Sequence, residues 1–163
     1  MIKINQAIFC DPASPLITFL ASFLIWFMFA GVFTLWIIDG RIKKEQALHA
    51  LFSTFLVFII CEMIKSLFPS LRPFQINGYA PLTLSIPGSS SFPSVHAAVS
   101  SALATSIWLH NRKIGWGFTV MAILVSLGRV MSNVHGPLDI TVGILLGIGT
   151  SLLIEKLHLK KLV

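Results

Sequence analysis

Apolar residues along this chain come in runs of helical length rather than in short alternating stretches. From Leu16 to Ile38 the sequence LITFLASFLIWFMFAGVFTLWII carries no charge at all. At about 1.5 Å of rise per residue, such a run crosses a hydrocarbon core of about 30 Å as a helix. Four more apolar runs follow, and together they predict helices over 16–38, 46–67, 94–110, 114–131 and 138–156. The breaks DGRIKK, HNRK and GP between them carry turn signals. The longest break, PSLRPFQINGYAPLTLSIPGSSSFP (69–93), is rich in proline, glycine and serine and reads as a loop. Neither a repeat nor a linker interrupts the pattern. Residues 1–163 are therefore expected to form one integral membrane domain, all-α, a polytopic bundle of about five transmembrane helices. A weak amphipathic signal places the first ten residues at the interface.

Composition fits a chain whose solvent is lipid. Of 163 residues, 55% are hydrophobic and 11% charged, against about 25% charged in average soluble domains. The first run is too long for the apolar part of a signal peptide and lacks a strong basic segment before it, so it reads as a retained helix. A net charge of +6 could point to nucleic acid. The basic residues instead sit in short hydrophilic breaks, so no nucleic-acid partner is expected. Cys10 and Cys61 suggest neither a disulfide framework nor a thiolate site and read as small packing residues.

Charge along the chain also orients it. Alternating spans place Arg41, Lys43, Lys44, Arg112, Lys113, Lys156, Lys160 and Lys161 on one side of the bilayer. Lys3, Lys65, Arg72 and Arg129 fall on the other. The positive-inside bias then makes the first side cytoplasmic, with the C-terminus in and the N-terminus and long loop out.

Lys65, Arg72 and Arg129 are not explained by that bias. They lie at or near the outer ends of helices, beside His96, His135 and Asp139, and ionisable groups at membrane depth are functional by default. The helices after Pro93 and Pro137 begin on the same side, and their unpaired N–H groups favour anions. Three cations and two helix N-termini describe a receptor for a multiply charged anion, most plausibly phosphate. His135 and Asp139 are four apart and share a helix face. The carboxylate can then fix one imidazole nitrogen while the other attacks, and His96 can serve as general acid.

These residues fall into three segments, KSLFPSLRP (65–73), PSVH (93–96) and GRVMSNVHGPLD (128–139). In order and spacing they resemble the type 2 phosphatidic acid phosphatase superfamily of integral membrane phosphatases. The resemblance covers about residues 16–157 and implies a metal-independent, cofactor-free phosphatase working through a phosphohistidine. By position it makes His135 the nucleophile, Asp139 its partner and His96 the acid. Lys65, Arg72, Ser94, the Val95 amide and Arg129 would bind the phosphate. The segments SFPSVHAA and NRKIGW are similar to the bacitracin-resistance type of undecaprenyl-diphosphatase. The implied partner is a lipid phosphate or diphosphate in the bacterial cell (inner) membrane, its headgroup taken up at the outer face. The chain departs from the family pattern at Val95 and Asn133, where glycine is usual, and at Gly128, where serine is usual. Family members often have six spans, and the first would be missing here.

Other readings stand beside these. Lys65 could pair with Glu62, and Ser94 could be a helix cap. His49, His110 and His158 are expected at the cytoplasmic interface. A divalent ion on His96, His135 and Asp139 would be repelled by three nearby cations. The loop 74–92 could gate lipid access or simply connect. Phosphatidic acid, phosphatidylglycerol phosphate and lipid A phosphates are alternative substrates. A degenerate lipid-phosphate-binding protein is the reading outside enzyme chemistry.

Overall fold

The computed structural model describes residues 14–38 and 41–159. Lys3, Cys10, the first ten residues, the Asp39–Gly40 part of the first break, Lys160 and Lys161 lie outside them, as do the side chains of Arg41, Lys43 and His158. Among the described residues the chain is all-helical: α1 (Ser14–Ser22), α2 (Leu24–Ile38), α3 (Arg41–Leu67), α4 (Pro73–Asn77), α5 (Val95–His110), α6 (Arg112–Met131) and α7 (Pro137–Leu159).

Three of these, over Lys44–Leu67, Arg112–Met131 and Pro137–Leu157, are long and apolar enough to cross a bilayer. The first expected helix is instead two, α1 and α2, bent by 46° at Phe23, and counts as a fourth span only if the pair crosses together. The third expected span, over 94–110, is α5 and has 16 residues. At about 24 Å it falls short of the hydrocarbon thickness. Its neighbours enclose it instead, with α3, α6 and α7 all packed against it.

Side-chain size explains that centre. The inward positions of α5 are small, with Ala97, Ala98, Ser100 and Ala102 buried. Facing them, Gly143 and Gly147 form a glycine pair four apart on α7. A Cβ on Gly143 would sit 2.6 Å from the Ser94 carbonyl oxygen, and one on Gly147 would overlap that of Ala98. Close approach of small residues is how helices associate where lipid removes the hydrophobic drive between them. The large apolar residues point outward: Trp26, Phe27, Phe55, Ile123, Leu145 and Leu153 are all exposed, as a lipid-facing surface requires.

Helix ends follow local chemistry. Asn111 ends α5 and begins α6, its side chain accepting the Ile114 N–H. Pro137 opens α7, but Pro93 lies outside α5, where Ser94 is the N-cap. The long break is not wholly loop, since Pro73–Asn77 forms α4, ended by Gly78 at φ 76°. Beyond it the chain is stitched to the α6–α7 turn, through the paired side chains of Asn77 and Asn133 and through Leu82 N–H on the Ser132 carbonyl.

Candidate active site

The three sequence segments meet at one end of the bundle. Lys65 ends α3, Arg72 precedes α4, Ser94 and His96 open α5, Arg129 ends α6, and His135 and Asp139 flank the start of α7.

Arg72 is almost wholly buried, and each guanidinium nitrogen has work. Nε donates to the Ser89 carbonyl at 2.9 Å, Nη2 to the Ser90 carbonyl at 3.2 Å and to Ser89 Oγ at 3.3 Å. Nη1 donates to the Val134 carbonyl at 3.1 Å and faces His135 Nε2 at 3.3 Å. Arg72 sits outside the spans, where burial pulls its pKa below the ordinary arginine value and the Asp139 carboxylate opposes the fall. Lys65 Nζ lies 3.3 Å from Glu62 and 3.4 Å from Ser89 Oγ. The pairing with Glu62 therefore forms, but Ser89 ties the same ammonium to Arg72.

That arrangement assigns the His135 tautomer. A guanidinium can only donate, so the Nε2 facing Nη1 carries a lone pair and the ring proton sits on Nδ1. Nδ1 points to Asp139 Oδ2 at 3.6 Å and to Ser91 Oγ at 3.5 Å. The first distance exceeds a hydrogen bond, and catalytic contacts commonly tighten only around substrate. Oδ2 is held by Ser91 Oγ at 2.6 Å and by the Gly136 N–H at 2.8 Å. Asp139 thus sits in the first turn of α7 and binds back to the residue before the helix, as carboxylates at that position do. Burial, together with the positive charge of Arg129 and Arg72, holds the His135 pKa down at about 4 against the contrary pull of Asp139. The ring is neutral at pH 7, the state a nucleophile needs.

Two buried donors here find no partner among the described residues: Arg129 Nε and Ser94 Oγ. Arg129 uses Nη1 on the Ala21 carbonyl at 3.1 Å, one of the carbonyls released where α1 breaks from α2. Ser94 is the N-cap of α5, yet its side chain makes no capping bond, so the cap reading of that hydroxyl fails. Unpaired buried donors beside helix N-termini suit an anion with several oxygens. His96, in the first turn of α5, lies in the electrostatic field of Arg129, His135, Lys65 and Arg72.

The departures at Gly128, Asn133 and Val95 have structural causes. A Cβ on Gly128 would lie 2.8 Å from Ala21 N and from Leu20 Cβ, so α1 packs directly on this glycine. Asn133 takes φ 62°, a left-handed conformation asparagine tolerates. Val95 is the first residue of α5 and has no positive φ, so β-branching brings no backbone strain there. Sequence reasoning missed the serines. Ser89, Ser90 and Ser91 position Lys65, Arg72 and Asp139, and the available signal was three consecutive hydroxyls just before PSVH.

Residues 46–162 match the model of the PAP2 superfamily. The chain belongs to that family. It is 27% identical to the bacitracin transport permease protein BcrC of Bacillus licheniformis over 141 residues, covering 86% of this chain and 70% of the relative. It is 32% identical to an undecaprenyl-diphosphatase of Sulfolobus acidocaldarius over 133 residues, covering 81% of this chain and 64% of that protein. The chain thus spans about two thirds of the length of these relatives. Among solved structures, LpxE of Aquifex aeolicus superposes with a TM-score of 0.66 at 25% identity, covering 91% of this chain and 86% of the other. The transmembrane PAP2-type phosphatidylglycerolphosphate phosphatase of Bacillus subtilis shares the fold, with a TM-score of 0.62 and 24% identity over 98% of this chain and 80% of its own. With its apolar outer surface, this PAP2 chain is an integral membrane protein.

Proposed function

We propose that this PAP2 protein is a membrane lipid phosphatase whose favoured substrate is undecaprenyl diphosphate. The observation that carries the chemistry is His135, with Nε2 set by a donor-only arginine and Nδ1 turned to Asp139 and Ser91. The name of the Sulfolobus acidocaldarius relative, an undecaprenyl-diphosphatase, supports the isoprenoid diphosphate.

In the proposed reaction the headgroup enters at the N-terminus of α5, and its terminal phosphate takes hydrogen bonds from Lys65, Arg72, Arg129, Ser94 Oγ and the Val95 N–H. Arg72 Nη1 leaves His135 Nε2 for a phosphate oxygen and so frees the lone pair. Nε2 attacks phosphorus, the bond to the bridging oxygen breaks, and His96, which takes up a second ring proton when the anionic headgroup binds, gives that oxygen a proton. The Asp139 carboxylate stabilises the imidazolium that forms. Water then gives its proton to His96, attacks the phosphohistidine and releases inorganic phosphate, restoring both histidines. Cations fixed around the transferring group stabilise its charge without reorganisation. The mechanism needs no metal at this site. A groove of about 420 Å³ lined by Ala104, Trp108, Trp116, Ile144 and Ile148 lies between α5, α6 and α7, in the half of the bundle away from the phosphate site.

The basic residues at the opposite end orient the site toward the outside of the cell membrane, with the C-terminus cytoplasmic. Purified protein assayed on undecaprenyl diphosphate, phosphatidic acid, phosphatidylglycerol phosphate and lipid A tests the substrate. Preferential phosphate release from the isoprenoid diphosphate, unchanged in chelator, supports the reading. Preference for a glycerophospholipid or lipid A moves the substrate, and no release from any of them leaves a binding protein.

A further inference from the structure

His49 on α3, His110 at the end of α5 and Glu155 on α7 converge at the end of the bundle opposite the phosphate site. The two histidines were expected at the cytoplasmic interface, yet the His49 side chain is only 11% exposed, and that of Glu155, for which the sequence raised no expectation, is 24% exposed. Glu155 Oε2 lies 3.2 Å from His49 Nδ1 and 3.6 Å from His110 Nε2. One donor atom from each residue falls within 4.8 Å of the other two.

The His110 tautomer is the telling feature. Its Nδ1 is 2.8 Å from the Ser106 carbonyl, which can only accept, so Nδ1 carries the proton. Nε2 then faces a carboxylate oxygen at 3.6 Å, and the positive charge that contact calls for is either a second proton on His110 or a cation held between the two. Oε2 accepts no hydrogen bond among the described residues. A metal-bound imidazole typically donates its other nitrogen to a backbone carbonyl, as His110 does. The two carboxylate–imidazole distances, 3.2 Å and 3.6 Å, bracket the roughly 3.4 Å that separates ligands about 2.0–2.1 Å from a tetrahedral zinc. Arg112, the nearest basic residue in sequence to His110, is drawn over the Trp108 ring at 5.3 Å.

We propose that His49 Nδ1, His110 Nε2 and Glu155 Oε2 bind one divalent transition-metal cation of the zinc type, with water completing the tetrahedron. Two nitrogens and one carboxylate oxygen are a donor set that zinc accepts and that calcium and magnesium, which prefer oxygen, do not favour. The site is separate from the phosphate-binding end and does not depend on the phosphatase reading.

The test is titration of the purified, chelator-stripped protein with Co²⁺, read by its visible absorption, followed by displacement with Zn²⁺. One equivalent giving a strong tetrahedral band, lost in both His110→Gln and Glu155→Gln but kept in His135→Gln, supports the site. Wild-type protein that binds no Co²⁺ overturns it, and this arm needs no variant to fold. Binding kept in both His110→Gln and Glu155→Gln, or lost in His135→Gln, also overturns it. Phosphate release measured alongside keeps the two proposals apart, because either can fail while the other stands.

Discussion

Gly128→Ser restores the residue usual in the family and should nevertheless damage this protein. The added Cβ would start 2.8 Å from Ala21 N and Leu20 Cβ and 2.9 Å from the Leu20 carbonyl carbon. Two of these three atoms are backbone, so a rotamer change cannot relieve the overlap. Bringing the closest pairs to an ordinary 3.4 Å requires α1 to retreat by about 0.6 Å. The same movement stretches the Arg129 Nη1 bond to the Ala21 carbonyl from 3.1 Å to about 3.7 Å, beyond hydrogen-bond range. Overpacking of this kind costs about 1–3 kcal/mol. Loosening a charged hydrogen bond on Arg129, proposed above to bind the phosphate, adds a loss in kcat/KM of roughly tenfold or more. Thermal unfolding in detergent and phosphate release read the two effects. Gly117→Ala, on the same helix with open space around it, is the control and should be neutral or slightly stabilising. A Gly128→Ser protein with wild-type midpoint and wild-type kcat/KM would refute the packing of α1 on α6.

Three other outcomes follow from the same geometry. In free protein the His135 ring should stay neutral as pH falls through 6.5 and gain its proton only near 4; histidine NMR titration, assigned with His135→Gln, reads this, and a midpoint at 6.5 would contradict its burial among cations. Ser91→Ala removes the 2.6 Å donor to Asp139, so kcat should fall about tenfold, at a cost of about 1.5 kcal/mol for a hydrogen bond to a charged group; unchanged kcat would show that Asp139 is held without it. With the native cysteines replaced, Ser85→Cys should react with an impermeant thiol reagent on intact cells and Arg112→Cys should not; the reverse pattern would turn the site to the cytoplasm.

The bundle was legible in sequence because lipid demands long apolar runs, and their ends are marked by charge and turn residues. The break at Phe23 was not. The run from Leu16 to Ile38 has neither proline nor glycine near that point, and the released Ala21 carbonyl is taken by Arg129, 108 residues away. Nor was α4, five residues inside a segment that composition marks as loop. The candidate site was readable because Lys65, Arg72, His96, Arg129, His135 and Asp139 sit near helix ends at fixed spacings, and topology brings those ends together. Ser91 was not read, since its only signal is a run of three serines inside a loop, which has no periodicity to mark one of them. His49, His110 and Glu155 lie on three helices with no shared motif, so only packing reveals that they meet. Gly128 read as a lost hydroxyl, whereas its purpose is the close approach of α1.

The most direct test of His135 as nucleophile is the site of covalent label in a single turnover. Wild-type protein is mixed with lipid diphosphate labelled in its terminal phosphate, quenched in alkali to preserve phosphohistidine, and mapped by mass spectrometry. Label on the peptide bearing His135 is the expected result. Turnover with that peptide unlabelled, or with the label on another residue, would contradict it.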